Sequence, residues 1–276
     1  MSRVFLLGDP VAHSMSPAMQ NAAFAALGLR HRYALFAVPA KDLPGVVRTV
    51  LRKDDVLGAN VTIPHKERMA PLLDQVEDTA RRIGAVNTVF KRAGALVGEN
   101  TDAGGFADAL AERGVELDGR RVLVLGAGGA ARACVDHLIR SRAHVIVTNR
   151  TAERAERFRA AIEASLPASI GVSHSVGALS WPVRAIGDYE VVVNATALGL
   201  HGEDPLEGAD LPSSTIVVDI VATAGETPLV RRARAAGCVA VDGLLMLLHQ
   251  GARAFKLWTG LDAPVAAMRA ALPREV

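Results

Sequence analysis

Lys66 and Asp102 each close a short polar run that interrupts apolar sequence: Asn60-Val-Thr62-Ile-Pro-His-Lys66 and Gly98-Glu-Asn100-Thr-Asp102. Both runs read as loops at strand ends. A lysine and an aspartate brought together there can move a proton on or off a substrate oxygen while neighbouring side chains grip the rest of a polar molecule. The two would titrate as a coupled pair, so acid and base roles belong to them jointly. Pro64 predicts that Lys66 occupies the first turn of a helix, whose dipole disfavours the ammonium form, while an adjacent Asp102 carboxylate pulls the other way. The plainer alternative makes Lys66 a surface residue paired with Glu67 or Glu77, and Asp102 an ordinary helix N-cap.

Further hydroxyls and amides stand at comparable places. Ser14 and Ser16 flank Met15 in the loop after the first strand, Asn60 and Thr62 alternate on one strand face, and Asn87-Thr88 and Asn100-Thr101 lie at strand ends. Turn chemistry accounts for any one of them. Together they supply donors and acceptors for a ring bearing several hydroxyls and a carboxylate.

A second constellation points to a nucleotide. Gly126-Ala127-Gly128-Gly129-Ala130-Ala131 follows the buried strand Arg121 to Gly126 and opens a helix running to about Arg140. The glycines permit a tight turn and close approach to a pyrophosphate, whose charge the free amides of a helix N-terminus meet. At the end of the next strand an acidic residue would bond the ribose hydroxyls of NAD. Asn149-Arg150-Thr151 stands there instead, with Arg154 one turn on. Two guanidiniums and a hydroxyl suit the 2′-phosphate of NADP. The alternative is a solvated helix face in which Arg150 and Arg154 pair with Glu153 and Glu156.

The elements that must position these groups alternate between short β-rich runs and longer helical stretches, which predicts an α/β fold with mainly parallel sheets. Strands are expected at Val4 to Leu7, Arg32 to Val38, Gly58 to Ile63, Val86 to Lys91, His144 to Thr148, Val191 to Asn194 and Ile216 to Ile220. Ser16, as cap, with Pro17 opens a helix to about Leu27, and another covers Ala103 to Arg113. Residues 1–102 form a substrate-binding, catalytic domain and residues 103–242 a Rossmann-type NADP-binding domain. Two tail helices, roughly Met246 to Thr259 and Ala263 to Ala271, are expected to fold back to complete the first domain (residues 243–276), and a hinge near residues 102 to 104, rich in small residues including Gly104-Gly105, would let the domains close.

Composition narrows the class. The chain has 276 residues, half of them hydrophobic, enough to bury a large core. A net charge of +2 without a basic block gives no reason to expect nucleic acid or an anionic membrane as partner. Cys134 and Cys238 lack disulfide-framework or zinc spacing, so no metal is expected and a reduced cytoplasm fits. The N-terminus loses its apolar character too early for a signal peptide.

On Ser14-Met-Ser16-Pro17, Asn60-Val-Thr-Ile-Pro-His-Lys66, Gly84-Ala-Val-Asn87-Thr88, Asn100-Thr-Asp102, Gly126-Ala-Gly-Gly-Ala130, Asn149-Arg-Thr151, Asn194-Ala-Thr196 and Asp242-Gly243 through Met246-Leu247 to Gln250, the chain closely resembles the shikimate dehydrogenase family. The resemblance runs across essentially the whole chain. It implies reversible, NADP-dependent reduction of 3-dehydroshikimate to shikimate, on the route to aromatic amino acids, by a monomer or homodimer. It makes Lys66 and Asp102 the catalytic pair and gives Ser14, Ser16, Asn60, Thr62, Asn87 and Gln250 to the substrate. Thr196, Val221, Gly243 and Met246 fall on the cofactor side.

Two positions depart from the family pattern. Ala222 stands where a tyrosine usually helps hold substrate, and Leu245 replaces a residue that is commonly glycine. A quinate or quinate/shikimate dehydrogenase using NAD stays open as an alternative. So does a non-catalytic metabolite- or dinucleotide-binding paralogue.

Overall fold

A computed structural model describes residues 1–165 and 176–273. The chain divides into two compact units, Met1–Gly105 together with the stretch from Leu248 onward, and Phe106–Leu247.

The first unit is built on β1 (Ser2–Gly8), β2 (His31–Ala37), β3 (Val56–Val61), β4 (Gln75–Val76), β5 (Thr88–Arg92) and β6 (Ala95–Glu99), arranged β2-β1-β3-β5-β6-β4. Parallel pairing holds β2, β1 and β3 together, whereas β5 runs antiparallel to both β3 and β6. The β5–β6 hairpin is absent from the sequence reading. Ala93 and Gly94 make its turn, both with positive φ, the conformation such tight turns require. One core gathers Leu7, Val47, Leu51, Val61, Val86 and Val89.

The helix Ser16–Ala26 buries Ser16, Met19, Gln20, Ala23 and Phe24, the i, i+3, i+4, i+7, i+8 stripe of an amphipathic helix. The cap expected at Ser16 belongs to Met15, and Ser16 is the first helical residue. Ser14 Oγ accepts from Ser16 N–H at 3.2 Å, so the preceding hydroxyl satisfies an amide at the helix start. The long helix Gly243–Thr259 brings Phe255 to Phe24 at 5.3 Å between ring centroids, and Trp258 to Tyr33 at 6.0 Å. Trp258 Nε1–H donates to Val89 O at 3.0 Å, and Gln20 Nε2 donates to Gly251 O at 2.9 Å. The last helix, Val265–Ala270, packs on Ser16–Ala26.

The second unit is a six-stranded sheet made of β7 (Arg121–Leu125), β8 (His144–Asn149), β9 (Val176–Ser180), β10 (Val191–Asn194), β11 (Ile216–Asp219) and β12 (Val239–Val241). Every pairing is parallel and the order is β12-β11-β10-β7-β8-β9. The four residues of β10 and of β11 are all buried, the pattern of a parallel strand covered on both faces. The chain leaves β7 for β8 and β9 on one side and returns to β10 on the other, which makes the carboxyl ends of β7 and β10 the topological switch point of the sheet.

Candidate active site

Lys66 does not sit on a helix. The segment after β3 runs through turns from Ile63 to Arg68, so the expected helix around Lys66 is absent. Backbone and a buried histidine hold this segment in place. Val86 N–H donates to Lys66 O at 2.8 Å, His65 N–H to Thr62 O at 2.9 Å, and His65 Nε2 lies 2.7 Å from Val38 O. A carbonyl only accepts, so Nε2 carries the hydrogen.

Lys66 Nζ donates to Asp102 Oδ2 at 2.6 Å, with 14% of the lysine side chain and 6% of the aspartate exposed. The aspartate's second oxygen accepts from Asn87 Nδ2 at 2.8 Å. Asp102 lies inside the first turn of the helix Thr101–Glu112 and does not cap it. Asn100 takes that place, its Oδ1 accepting from Asp102 N–H at 3.1 Å and Ala103 N–H at 3.3 Å. The aspartate is thereby released from capping, and its carboxylate faces Lys66 and Asn87.

The sequence-predicted polar residues converge here to different degrees. Asn87 Oδ1 accepts from Thr101 N–H at 2.7 Å, and Asn60 Nδ2 donates to Thr88 Oγ1 at 3.0 Å. Ser16, Asn60, Asn87 and Gln250 are all buried, and Thr62 is half-buried next to Gly8, where a Cβ would stand 2.4 Å from the Thr62 methyl. Gln250 owes its seat to glycine. A Cβ at Gly105 would fall 2.5 Å from the Gln250 backbone nitrogen, and one at Gly104 would fall 2.6 Å from Arg253 Cζ. These two glycines lie within a continuous helix, where their missing side chains admit the neighbouring helix.

Sequence reasoning overlooked Tyr33. Its ring is buried on β2, and its hydroxyl donates to Asn60 Oδ1 at 2.8 Å. Burial pushes the phenol far above its ordinary range, so the hydroxyl stays protonated. A signal was present in the placement of Tyr33 on a strand beside Asn60, but only the pairing of β1 with both β2 and β3 makes it readable.

The second unit shows features that fit a dinucleotide. Gly126 has φ +111°, and a Cβ there would meet Ala195 O at 2.7 Å. Only glycine permits this approach of the turns that follow β7 and β10. Space above Gly128 is open, and no side chain caps the helix Gly129–Arg140, which leaves first-turn amides at Gly129, Ala130 and Ala131 for an anion. Arg154 Nε donates to Ala127 O at 3.3 Å, linking the arginine to that same turn, and Asn149 Nδ2 donates to Thr151 O at 3.1 Å. Arg150 and Arg154 are exposed, and Glu156 pairs with Arg159 rather than with either of them. The residues present thus fit an NADP 2′-phosphate.

Asp219 ties together the loops at the ends of β10 and β11. Its carboxylate accepts from Thr227 Oγ1 at 2.6 Å, Asn194 Nδ2 at 2.9 Å and Val221 N–H at 3.1 Å. Burial pushes it up to about 6 despite these donors, with Asp242 adding to the rise. Thr196 N–H and Oγ1 both donate to Asn194 Oδ1, at 3.1 and 2.7 Å. Gly243 is required where the chain passes Val221: a Cβ would lie 2.4 Å from its carbonyl carbon and 2.7 Å from Ala222 N. Met246 and Leu245 are buried on the helix that follows.

A parallel-sheet unit with a glycine turn at its switch point, joined in one chain to a unit carrying a sequestered lysine–carboxylate pair, defines a dinucleotide-dependent oxidoreductase of the α/β class. Comparison with known proteins narrows the class. Residues 6–89 match the shikimate dehydrogenase substrate binding domain, residues 109–199 the shikimate / quinate 5-dehydrogenase model, and residues 243–272 the shikimate 5′-dehydrogenase C-terminal domain. The shikimate dehydrogenase (NADP(+)) of Symbiobacterium thermophilum is 45% identical over 271 residues, covering 96% of this chain and 92% of the relative. The crystal structure of shikimate 5-dehydrogenase from Thermus thermophilus in complex with NADP(H) and shikimate matches with a TM-score of 0.86 at 38% identity, covering 100% of both chains. Quinate dehydrogenase from Corynebacterium glutamicum in complex with NAD matches with a TM-score of 0.85 at 32% identity, covering 98% of both chains. The chain belongs to the shikimate dehydrogenase (NADP+) family.

Proposed function

We propose that this protein catalyses the reversible, NADP-dependent reduction of 3-dehydroshikimate to shikimate in aromatic amino-acid biosynthesis. The observation that carries the reading is the Lys66–Asp102 pair, sequestered at 2.6 Å and braced by Asn87. NADP supplies or accepts the hydride. In the oxidising direction the C–O–H proton of shikimate passes to the Lys66–Asp102 pair as the hydride leaves the same carbon; in reduction the pair returns that proton to the developing alkoxide. Holding the ring where this transfer is short accounts for a large share of the rate.

Ser14, Ser16, Asn60, Thr62, Asn87 and Gln250 are the proposed substrate ligands, Asn60 and Asn87 through whatever bonding capacity their internal partners leave. Arg150, Thr151 and Arg154 are the proposed clamp for the 2′-phosphate, with Asn149 shaping their loop. The turn Gly126 to Ala130 receives the pyrophosphate, and Thr196, Val221, Gly243 and Met246 border the nicotinamide. No described helix is long and apolar enough to cross a membrane, and we place the activity in the cytoplasm, in a monomer or homodimer.

Initial rates of shikimate and quinate oxidation, each with NADP and with NAD, test the proposal. Turnover chiefly with shikimate and NADP is the expected result. Turnover chiefly with quinate and NAD would overturn both the substrate and the clamp assignments. NADP binding without turnover on either substrate would separate the cofactor reading, which would stand, from the substrate reading, which would fall.

A further inference from the structure

The residues assigned to substrate and proton transfer are joined by two others that the family-based assignment leaves out, Tyr33 and Thr88. Tyr33 Oη donates to Asn60 Oδ1 at 2.8 Å. Asn60 Nδ2 donates to Thr88 Oγ1 at 3.0 Å, Thr88 Oγ1 to Asn87 Oδ1 at 3.0 Å, and Asn87 Nδ2 to Asp102 Oδ1 at 2.8 Å. Lys66 then donates to the other carboxylate oxygen. Every link lies within the first unit.

At both amides the direction of this chain is set by groups that have no choice of role; between them the single Thr88 hydroxyl hydrogen has Asn87 Oδ1 at 3.0 Å and Thr101 Oγ1 at 3.1 Å within reach. Asp102 as a carboxylate only accepts, and Thr101 N–H, 2.7 Å from Asn87 Oδ1, only donates; these fix which end of the Asn87 amide faces which way. The Asn87 carbonyl only accepts, and it lies 3.3 Å from Asn60 Nδ2, which fixes Asn60 and leaves its oxygen to Tyr33. Tyr33 therefore donates to Asn60. Hydrogen bonds arranged head to tail polarise one another, more strongly in a buried setting than in water. Tyr33, Asn60, Thr88, Asn87 and Asp102 are all at most 5% exposed.

We infer that Tyr33 is a positioning residue for proton transfer: its hydroxyl, with no contact to Lys66 or Asp102, orients Asn60 and, through Thr88 and Asn87, holds the Asp102 carboxylate in register with Lys66. The inference rests on the assignment of Lys66 and Asp102 as the reacting pair. Removing the hydroxyl frees the Asn60 amide to rotate, and the loss passes down the chain to Asp102.

Tyr33→Phe keeps the ring against Trp258 and removes only the hydroxyl; Thr88→Val removes the middle link at nearly constant shape. Each single variant is expected to lower kcat/KM for shikimate by about 3–10-fold, with the KM for NADP unchanged. The double variant is expected to lose no more than the larger single loss, because a chain already cut at Thr88 no longer transmits the state of Tyr33. Losses that multiply, or a Tyr33→Phe enzyme as active as wild type, would overturn the inference.

A second measurement is independent of turnover and of the stability of either variant. The chain contains two tyrosines, so 3-fluorotyrosine incorporation with Tyr189→Phe as the assignment variant isolates the Tyr33 fluorine resonance. Asp102→Asn replaces one of two accepting oxygens by a donating amide that faces Lys66 or Asn87, and the Tyr33 resonance is expected to move in response. A resonance that stays put on Asp102→Asn and on addition of shikimate would sink the proposal. Wild-type protein that turns over no shikimate but shows the Asp102→Asn shift would instead leave the chain intact and reject the functional assignment beneath it.

Discussion

Asp102 divides its two oxygens between Lys66 and Asn87, while Asn100 supplies the helix cap that Asp102 itself was expected to provide. Capping and proton transfer are therefore separable. Asp102→Asn would set an amide N–H against one of two donors, Lys66 or Asn87, and remove the carboxylate, and kcat is expected to fall by about 10²–10⁴-fold, a loss typical of removing a positioned acid–base group. Asn100→Ala should act on stability instead, costing about 1 kcal/mol for the lost cap. Steady-state kinetics beside thermal melts of both variants tests the division, and Asn100→Ala melting like wild type would refute it. On the cofactor side, replacing Arg150 and Arg154 together by alanine is expected to raise the KM for NADP by about 10–100-fold and that for NAD far less, since forked charge-assisted bonds to a phosphate are lost. Equal losses with both cofactors would show that the two arginines do not read the 2′-phosphate. Ala222→Tyr is expected to lower the KM for shikimate, restoring a phenol where the family usually has one.

At the scale of elements, the glycine pairs show how much of the arrangement was legible beforehand. Gly126 could be placed from its position after a buried strand, because the dinucleotide turn has a local signature. Gly104-Gly105 carries no such signature and suggested a hinge. Apart from any hinge, the space a Cβ would need there is taken by the Gln250 backbone and the Arg253 guanidinium, some 145 residues away in sequence. Gly105→Ala should push the two helices apart and destabilise the first unit by roughly 1–3 kcal/mol, with a raised KM for shikimate as Gln250 shifts; an unchanged melting midpoint would contradict the close approach. Tyr33 escaped the sequence reading for a similar reason, and Thr88, named there only as one strand-end hydroxyl among several, was given no partner. Each is an unremarkable strand residue until β1 pairs with β2 and β3, and β3 with β5, bringing their hydroxyls to Asn60. The missed β5–β6 hairpin is a different failure, since Ala93-Gly94 is a weak turn signal and Gly98 to Asp102 looked like loop throughout.

For the molecule as a whole, Asp219 links pH to the integrity of the second unit. Its folded value of about 6 lies above the ordinary 3.8, so the folded state favours the protonated form. That contribution is complete below about pH 4 and is lost as pH rises through 6, amounting to no more than about 3 kcal/mol from this group. Asp219→Asn should therefore flatten the change in denaturation midpoint between pH 4.5 and pH 7.5, and an undiminished change would assign it to other groups. Charge elsewhere works the other way at lower pH: Arg52 holds Asp74 down to about 2, so that exposed pair gives up its stabilisation only as acid titrates the carboxylate.

The interleaving of the two units along the chain sets an order for their assembly during translation. Phe106–Leu247 is one uninterrupted stretch, whereas Met1–Gly105 needs residues from Leu248 onward. Phe255 and Trp258, which close over Phe24 and Tyr33, leave the ribosome 231 and 225 residues after their partners. At about 5–20 residues per second, the half-built N-terminal sheet waits roughly ten seconds or more for its lid of aromatic side chains. The part of the protein synthesised first is thus the last to be finished, and it is the nascent-chain intermediate a chaperone would meet.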